Sequence, residues 1–238
     1  MDRSIPFTDF EPIYEAILAD LGFDRATDEH ARDLAAEFAR PFDERRLSVL
    51  DGTCVAIVGA APSLASELES FDEAAVDAIV AASTAVDVLA AHDIAVDLMV
   101  TDLDKNVETA NRLTHRETAV AVHAHGDNVP ALREWLPAFD LDWTLVTTQA
   151  APVGAVENAG GFTDGDRAAF LAHTFGAREL CFVGWQFDDP SVGPLKARKL
   201  RWAEQLLYWL ERRRDERFGV LDGRREALFE EPTQLSTG

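Results

Sequence analysis

Between residues 54 and 184 the chain carries six short apolar runs, Cys54–Val58, Ala78–Ala82, Leu98–Thr101, Thr118–Val122, Thr144–Thr148 and Leu180–Gly184. A strand with one face in water alternates apolar and polar residues, whereas these runs are apolar almost throughout, as strands covered on both faces are. The intervening stretches include helix-length segments such as Val107–Leu113, Pro130–Leu136 and Asp164–Thr174. Strands that alternate with helices predict an α/β fold: a mostly parallel sheet of about six strands with helices on both faces. Ahead of the first run, Pro12–Leu21 and Asp28–Ala39 have helical spacing and Pro41 ends the second. After the last run, Lys196–Arg213 predicts a long amphipathic helix with Leu200, Ala203, Leu206, Leu207 and Leu210 on one face. This divides the chain into a helical extension (1–48), an α/β core with its C-terminal helix (49–214) and a charged tail (215–238) expected to be partly disordered.

The chain has 238 residues, 47% of them hydrophobic, enough for a sizeable core without disulfides. No stretch approaches the ~20 apolar residues that span a bilayer, and the acidic N-terminus has no signal-peptide pattern, so a cytoplasmic enzyme away from membranes is expected. Cys54 and Cys181, the two cysteines, lie in apolar runs and read as buried thiols. The net charge is −21, and only three of the 22 basic residues are lysine. That balance suits a halophilic cytoplasm, because at ~1 M salt the Debye length of ~3 Å screens carboxylate repulsion. It also argues against nucleic acid as a partner, since few cations are present to neutralise phosphates. Homo-oligomerisation is left open by the sequence.

In an open parallel sheet ligands bind beyond the carboxyl ends of the strands, so the residues delivered there are the candidates. The first strand delivers Gly59-Ala60-Ala61-Pro62-Ser63-Leu64, a tight turn into a helix that could present N–H groups to phosphate, with Gly59 and Ser63 as candidates. It lacks the further glycines of a dinucleotide fingerprint. The third delivers Thr101-Asp102-Leu103-Asp104-Lys105, and in extended backbone the Asp102 and Asp104 carboxylates would point the same way, as Mg²⁺ ligands do. The fourth ends in His123-Ala124-His125-Gly126-Asp127-Asn128; the histidines read first as groups that orient phosphate and second as zinc ligands. Beyond the fifth comes Gly160-Gly161-Phe162-Thr163-Asp164-Gly165-Asp166-Arg167. Here the glycines permit close backbone approach, Thr163 and Asp166 have capping spacing, and Arg167 has a planar fork for phosphate. Gly184-Trp185-Gln186-Phe187 ends the sixth, with aromatics that either sandwich a ring or close the core. Lys196 and Lys199 share a helical face.

In this order the motifs resemble the archaeal 6-hydroxymethyl-7,8-dihydropterin pyrophosphokinase family, over roughly residues 50 to 210. The resemblance is carried by GAAPSL (59–64), TDLD (101–104), HAHGDN (123–128), GGFTDGDRA (160–168) and KARKL (196–200). Ala61 and Lys105 depart from it, each standing where the family commonly has glycine. The core is also similar to that of thiamine pyrophosphokinases. The resemblance implies Mg²⁺-dependent transfer of diphosphate from ATP to a reduced pterin alcohol, releasing AMP. It places Asp102, Asp104, His123, His125 and Asp127 at the chemistry, and Gly59, Ser63, Gly160, Gly161, Thr163, Asp164, Arg167, Lys196 and Lys199 around ATP. A thiamine-type pyrophosphokinase, a nucleotide-sugar glycosyltransferase-like enzyme and a non-catalytic nucleotide-binding module are the alternatives.

Overall fold

The structure is a computed structural model that describes residues 4–237. Its sheet has six strands, β1 (Cys54–Val58), β2 (Ala78–Ala82), β3 (Leu98–Thr101), β4 (Ala119–Ala124), β5 (Thr144–Thr148) and β6 (Glu179–Val183), in the order β5-β4-β3-β2-β1-β6. Every pairing is parallel. The first five strands are buried at every position, which is why their sequences are apolar without alternation. β6 is an edge strand and remains partly exposed, so Cys181 is only half-buried while Cys54 is buried as expected.

Handedness places the helices. From β1 to β5 the chain steps in one direction, and right-handed crossovers put α3 (Leu64–Leu68), α4 (Ala85–Ala91), α5 (Val107–Thr114) and α6 (Val129–Trp135) on one face. The return to β6 runs the other way, so α7 (Asp164–Thr174) lies across β1, β2 and β3 on the opposite face. That face also carries α1 (Phe7–Leu21) and α8 (Pro194–Arg214), through Phe10, Ile17, Phe170, Trp202 and Leu206. The second helix, α2 (Arg25–Ala36), joins the first face beside α6, with Ala31, Leu34 and Ala35 in its core. The two N-terminal helices therefore straddle the sheet. The Gly22-Phe23-Asp24 link between them passes over the carboxyl ends of the strands, and Gly22 makes the turn in the left-handed conformation (φ 73°).

Part of the tail packs on the core. Phe218 and Leu221 are fully buried, and the Arg225 guanidinium donates to the Glu211 carboxylate and to the Phe218 carbonyl. The Phe218-Gly219-Val220-Leu221 segment supplies the apolar surface that a disordered tail would lack. Met1–Arg3 and Gly238 lie outside the described residues. Among those described, no helix is long and apolar enough to cross a membrane.

Candidate active site

The chain leaves β1 in one direction and returns to β6 on its other side, which opens a crevice at the carboxyl edge of these two strands. Gly59 and Gly184 meet there so closely that a Cβ on either would come within 2.6 Å of the other's carbonyl oxygen. The crevice is part of a cavity of ≈ 750 Å³ that extends over β3 and β4 to α2 and α8. Of the expected residues, Gly59, Asp102, Asp104, His123, His125, Asp127, Thr163, Asp164, Arg167, Lys196 and Lys199 line it.

Asp102 and Asp104 converge, but not as extended backbone. β3 stops at Thr101, Leu103 turns into the left-handed region (φ 63°), and the Asp104 N–H donates to Asp102 Oδ1 at 3.2 Å. A left-handed leucine costs on the order of 1 kcal/mol or more. Its side chain is buried in the core, a gain of roughly 1.5–3 kcal/mol, so the strained turn is held down by apolar packing. The Thr101 hydroxyl accepts from the Leu103 N–H at 3.0 Å. Burial alone would raise the Asp102 pKa, but His125, whose Nε2 lies 3.6 Å from Asp102 Oδ2, and the bond from Asp104 hold it well below the usual carboxylate range. Burial and the neighbouring Asp102 charge push Asp104 the other way.

The two histidines differ. His123 is buried, its Nδ1 is 3.1 Å from the Thr147 hydroxyl, and its Nε2 has no partner. Desolvation depresses its pKa strongly, so the ring is neutral. His125 Nδ1 accepts from the Asp127 N–H at 3.3 Å, which places the ring proton on Nε2, facing Asp102. The rings are stacked with centroids 6.0 Å apart. Among the described residues neither belongs to a group of three side chains with ligand atoms close enough to hold a metal.

Asn128 and Asp28 organise this turn, and sequence reading missed both as site residues. Asn128 Nδ2 donates to the carbonyls of Asp102 and His123, each at 2.6 Å, and its Oδ1 accepts from the His125 N–H. One buried amide thus fixes the end of β3 to the end of β4. Asp28, buried on α2, accepts from the Gly126 N–H at 2.8 Å, the Tyr14 hydroxyl at 2.9 Å and Gln149 Nε2 at 2.6 Å. Gly126 has no alternative, because a Cβ there would collide with the Thr27 side chain. The N-terminal helices are therefore a wall of the site. The HAHGDN turn requires partners for its amides, but nothing local indicates that they come from 98 residues away.

Three candidates are placed elsewhere. The Ser63 hydroxyl donates to Glu67 at 2.6 Å and lies outside the cavity lining. Gly160 and Gly161, also outside the lining, have positive φ (90° and 85°) because α7 packs against them. A Cβ at Gly160 would meet the Phe170 ring at 2.5 Å, and one at Gly161 the Arg167 Cα at 2.5 Å. Arg167 borders the cavity but is anchored inward, donating to the Phe162 carbonyl at 2.8 Å and pairing with Asp164 at 3.3 Å. Its Nε is buried without a partner. Asp166 caps α7 by accepting from the Thr163 N–H at 2.8 Å and the Phe162 N–H at 2.6 Å, so the expected capping box forms with Asp in place of Glu. Asp164 brings a carboxyl group to the cavity beside Arg167; burial, and then the Asp102 charge, push its pKa well up.

At the cavity's other end Lys199 Nζ lies 5.4 Å from the Phe23 ring centroid and 5.8 Å from that of Phe162. Trp185 is pinned by a 2.9 Å bond from Nε1 to the Ile57 carbonyl and packs on Phe182, Phe187 and Gly165. The aromatics thus close the core and border the cavity at once.

A family model described as 6-hydroxymethylpterin diphosphokinase MptE-like matches residues 29–191. The chain belongs to the MptE-like family. A protein of Methanothermobacter thermautotrophicus named 6-hydroxymethyl-7,8-dihydropterin pyrophosphokinase is 38% identical over 223 residues, 86% of this chain and 94% of the relative. Proteins of the same name from Pyrococcus furiosus and Methanocaldococcus jannaschii are 34% and 28% identical, each over 85% of the chain and over 93% and 95% of their own lengths. The MptE-like match contains the turns after β1, β3 and β4 and the loop before α7, and most of α2 with Asp28 removed by one residue from its start. Lys196 and Lys199 lie beyond it.

Proposed function

We propose that this chain transfers the terminal diphosphate of ATP to the hydroxymethyl oxygen of 6-hydroxymethyl-7,8-dihydropterin, releasing AMP. The family and the relatives' names support the acceptor. The reading of the site rests on one observation: carboxyl groups outnumber basic groups around the cavity, with the Asp102 and Asp104 pair at the end here assigned to polyphosphate. Such a wall repels ATP unless a divalent cation lies between. Asp102 and Asp104 fit Mg²⁺, which takes one or two carboxylates and completes its shell with water and phosphate oxygens. When bound, Mg²⁺ would neutralise charge on the transferred group.

The remaining work falls to the chain. Asn128 and the left-handed Leu103 hold the Asp102 carboxylate in place, and the His125 Nε2–H faces its outer oxygen. Lys196, whose charge is felt by Asp104 and Asp164, and Lys105 supply the cations nearest the phosphates. His123, neutral and with Nε2 free, accepts the proton of the attacking hydroxyl in this scheme, with its Nδ1 proton directed at Thr147. Phe23, Phe162 and Trp185 border the end of the cavity suited to a flat ring.

The test uses purified protein in molar KCl with Mg²⁺, ATP and the reduced hydroxymethyl pterin, with nucleotides separated by chromatography. AMP that appears only with the pterin, without ADP, supports the reading. ADP, or no nucleotide turnover by folded protein, removes it, and the same assay with thiamine or a nucleotide sugar examines the alternatives.

A further inference from the structure

The opposite edge of the sheet holds a second set of ligand atoms, distant from ATP chemistry. Cys54 opens β1, Cys181 lies in the neighbouring β6, and their sulfurs are 3.4 Å apart. Glu179 shares the Cys181 face of β6 and brings a carboxylate oxygen within 4.8 Å of both sulfurs. Among the described residues this is the one such group of three. We propose that Cys54, Cys181 and Glu179 form a separate binding site for a soft, thiophilic divalent cation such as Zn²⁺ or Cd²⁺.

Geometry separates this from a redox role. The register pairs Cys54 with Glu179 and Ala56 with Cys181, so the cysteines are one strand apart and two residues out of step. With strands about 4.8 Å apart and a rise of about 3.3 Å per residue, their Cα atoms are about 8 Å apart. A disulfide needs less than about 7 Å, so closing one would shear β6 along β1. A tetrahedral cation with sulfur bonds of about 2.3 Å holds two sulfurs about 3.8 Å apart. The observed spacing needs only a few tenths of an ångström to reach that. Two sulfurs and one carboxylate leave a fourth position for water.

Access and protonation are consistent with a site filled from solution. Cys181 is half-buried, Glu179 is exposed, and a groove of ≈ 390 Å³ bordered by Cys181, Val183, Glu67 and Asp72 opens beside them. Burial, followed by the contact with Cys181, pushes the Cys54 thiol up to about 12, so its sulfur waits as a thiol. A bound M²⁺ replaces both thiol protons, and two protons leave to solvent; affinity therefore falls as pH falls. The site would cross-link the edge strand β6 to its neighbour β1. Cys181 lies three residues, about 10 Å, before Gly184 at the carboxyl edge, and none of the three ligands lines the cavity there, so the effect of the site is on stability.

The test titrates the metal-free full chain with Cd²⁺ and follows the ultraviolet sulfur-to-cadmium charge-transfer band, the melting temperature and the alkylation rate of both cysteines. One Cd²⁺ per chain is expected to produce the band, raise Tm and protect both thiols. Cys54→Ser and Cys181→Ser should abolish the band, Asp102→Asn should keep it, and Glu179→Gln, at an exposed position, should weaken Cd²⁺ binding about tenfold at unchanged fold. Absence of the band in folded protein, its survival in either serine variant, or unchanged affinity in Glu179→Gln overturns the assignment.

Discussion

The turn that closes β3 and the loop that opens α7 look alike in sequence, since each sets acidic residues beside positions of unusual backbone freedom. In the structure they do opposite things. At β3 the left-handed conformation falls on Leu103, which gains nothing from it locally, and on Asn106, a residue type that tolerates it, and its result is two carboxylates directed into a cavity. Before α7 it falls on Gly160 and Gly161, where it lets a helix dock against the loop, and Asp166 and Arg167 tie that loop to itself. In these two segments the same left-handed conformation serves different ends, carboxylates directed into the cavity after β3 and helix packing before α7. A glycine pair alone cannot distinguish ligand approach from helix approach.

The largest effect that follows is at Asp102. Asp102→Asn removes the charge but keeps the acceptor for the Asp104 N–H, so kcat should fall by about 10²-fold or more while Tm stays near wild type. Activity within a few-fold of wild type would erase the distinction between the two turns. Gly161→Ala is the converse. A Cβ against the Arg167 backbone at positive φ should destabilise by about 2–4 kcal/mol in urea unfolding, with kcat per folded molecule kept within a few-fold.

Asp28→Ala comes next. It leaves the Gly126 N–H, the Tyr14 hydroxyl and Gln149 without their shared acceptor, which should cost about 1–3 kcal/mol and raise KM by loosening the His125 turn. The smallest effect is a slope. Burial raises the folded-state pKa of Asp164 above an unfolded value of about 3.9, so above that pH the native state binds more protons than the unfolded. The metal-free protein should therefore lose stability as pH rises from about 4 through the raised value, and Asp164→Asn should flatten that dependence, as denaturation at several pH values would reveal.

Much of the fold was legible because burial on both faces writes an unbroken apolar run. All six runs became strands, with ends shifted by one or two residues at β4 and β6. The residues at the strand ends were legible too, because a sheet delivers its loops to one edge whatever the details of packing. What escaped was long-range. Asp28 serves Gly126 from another helix, and Asn128 brackets two strands, through contacts that no local spacing encodes. The packing uses of Ser63 and the glycine pair were not legible, because a hydroxyl or a missing Cβ has several uses and the sequence does not rank them. The packed part of the tail was not legible, since its ion pairs with α8 and the burial of Phe218 appear only once α8 is in place.

The central claim is that the Asp102–Asp104 pair makes this cavity a site for polyphosphate only through a divalent cation. ATP binding followed by calorimetry, with Mg²⁺ and with EDTA, tests it most directly. The account predicts tight binding with Mg²⁺, little without it, and loss of the Mg²⁺ dependence in Asp102→Asn and Asp104→Asn. Equal ATP affinity with and without Mg²⁺ in the wild-type protein would contradict it.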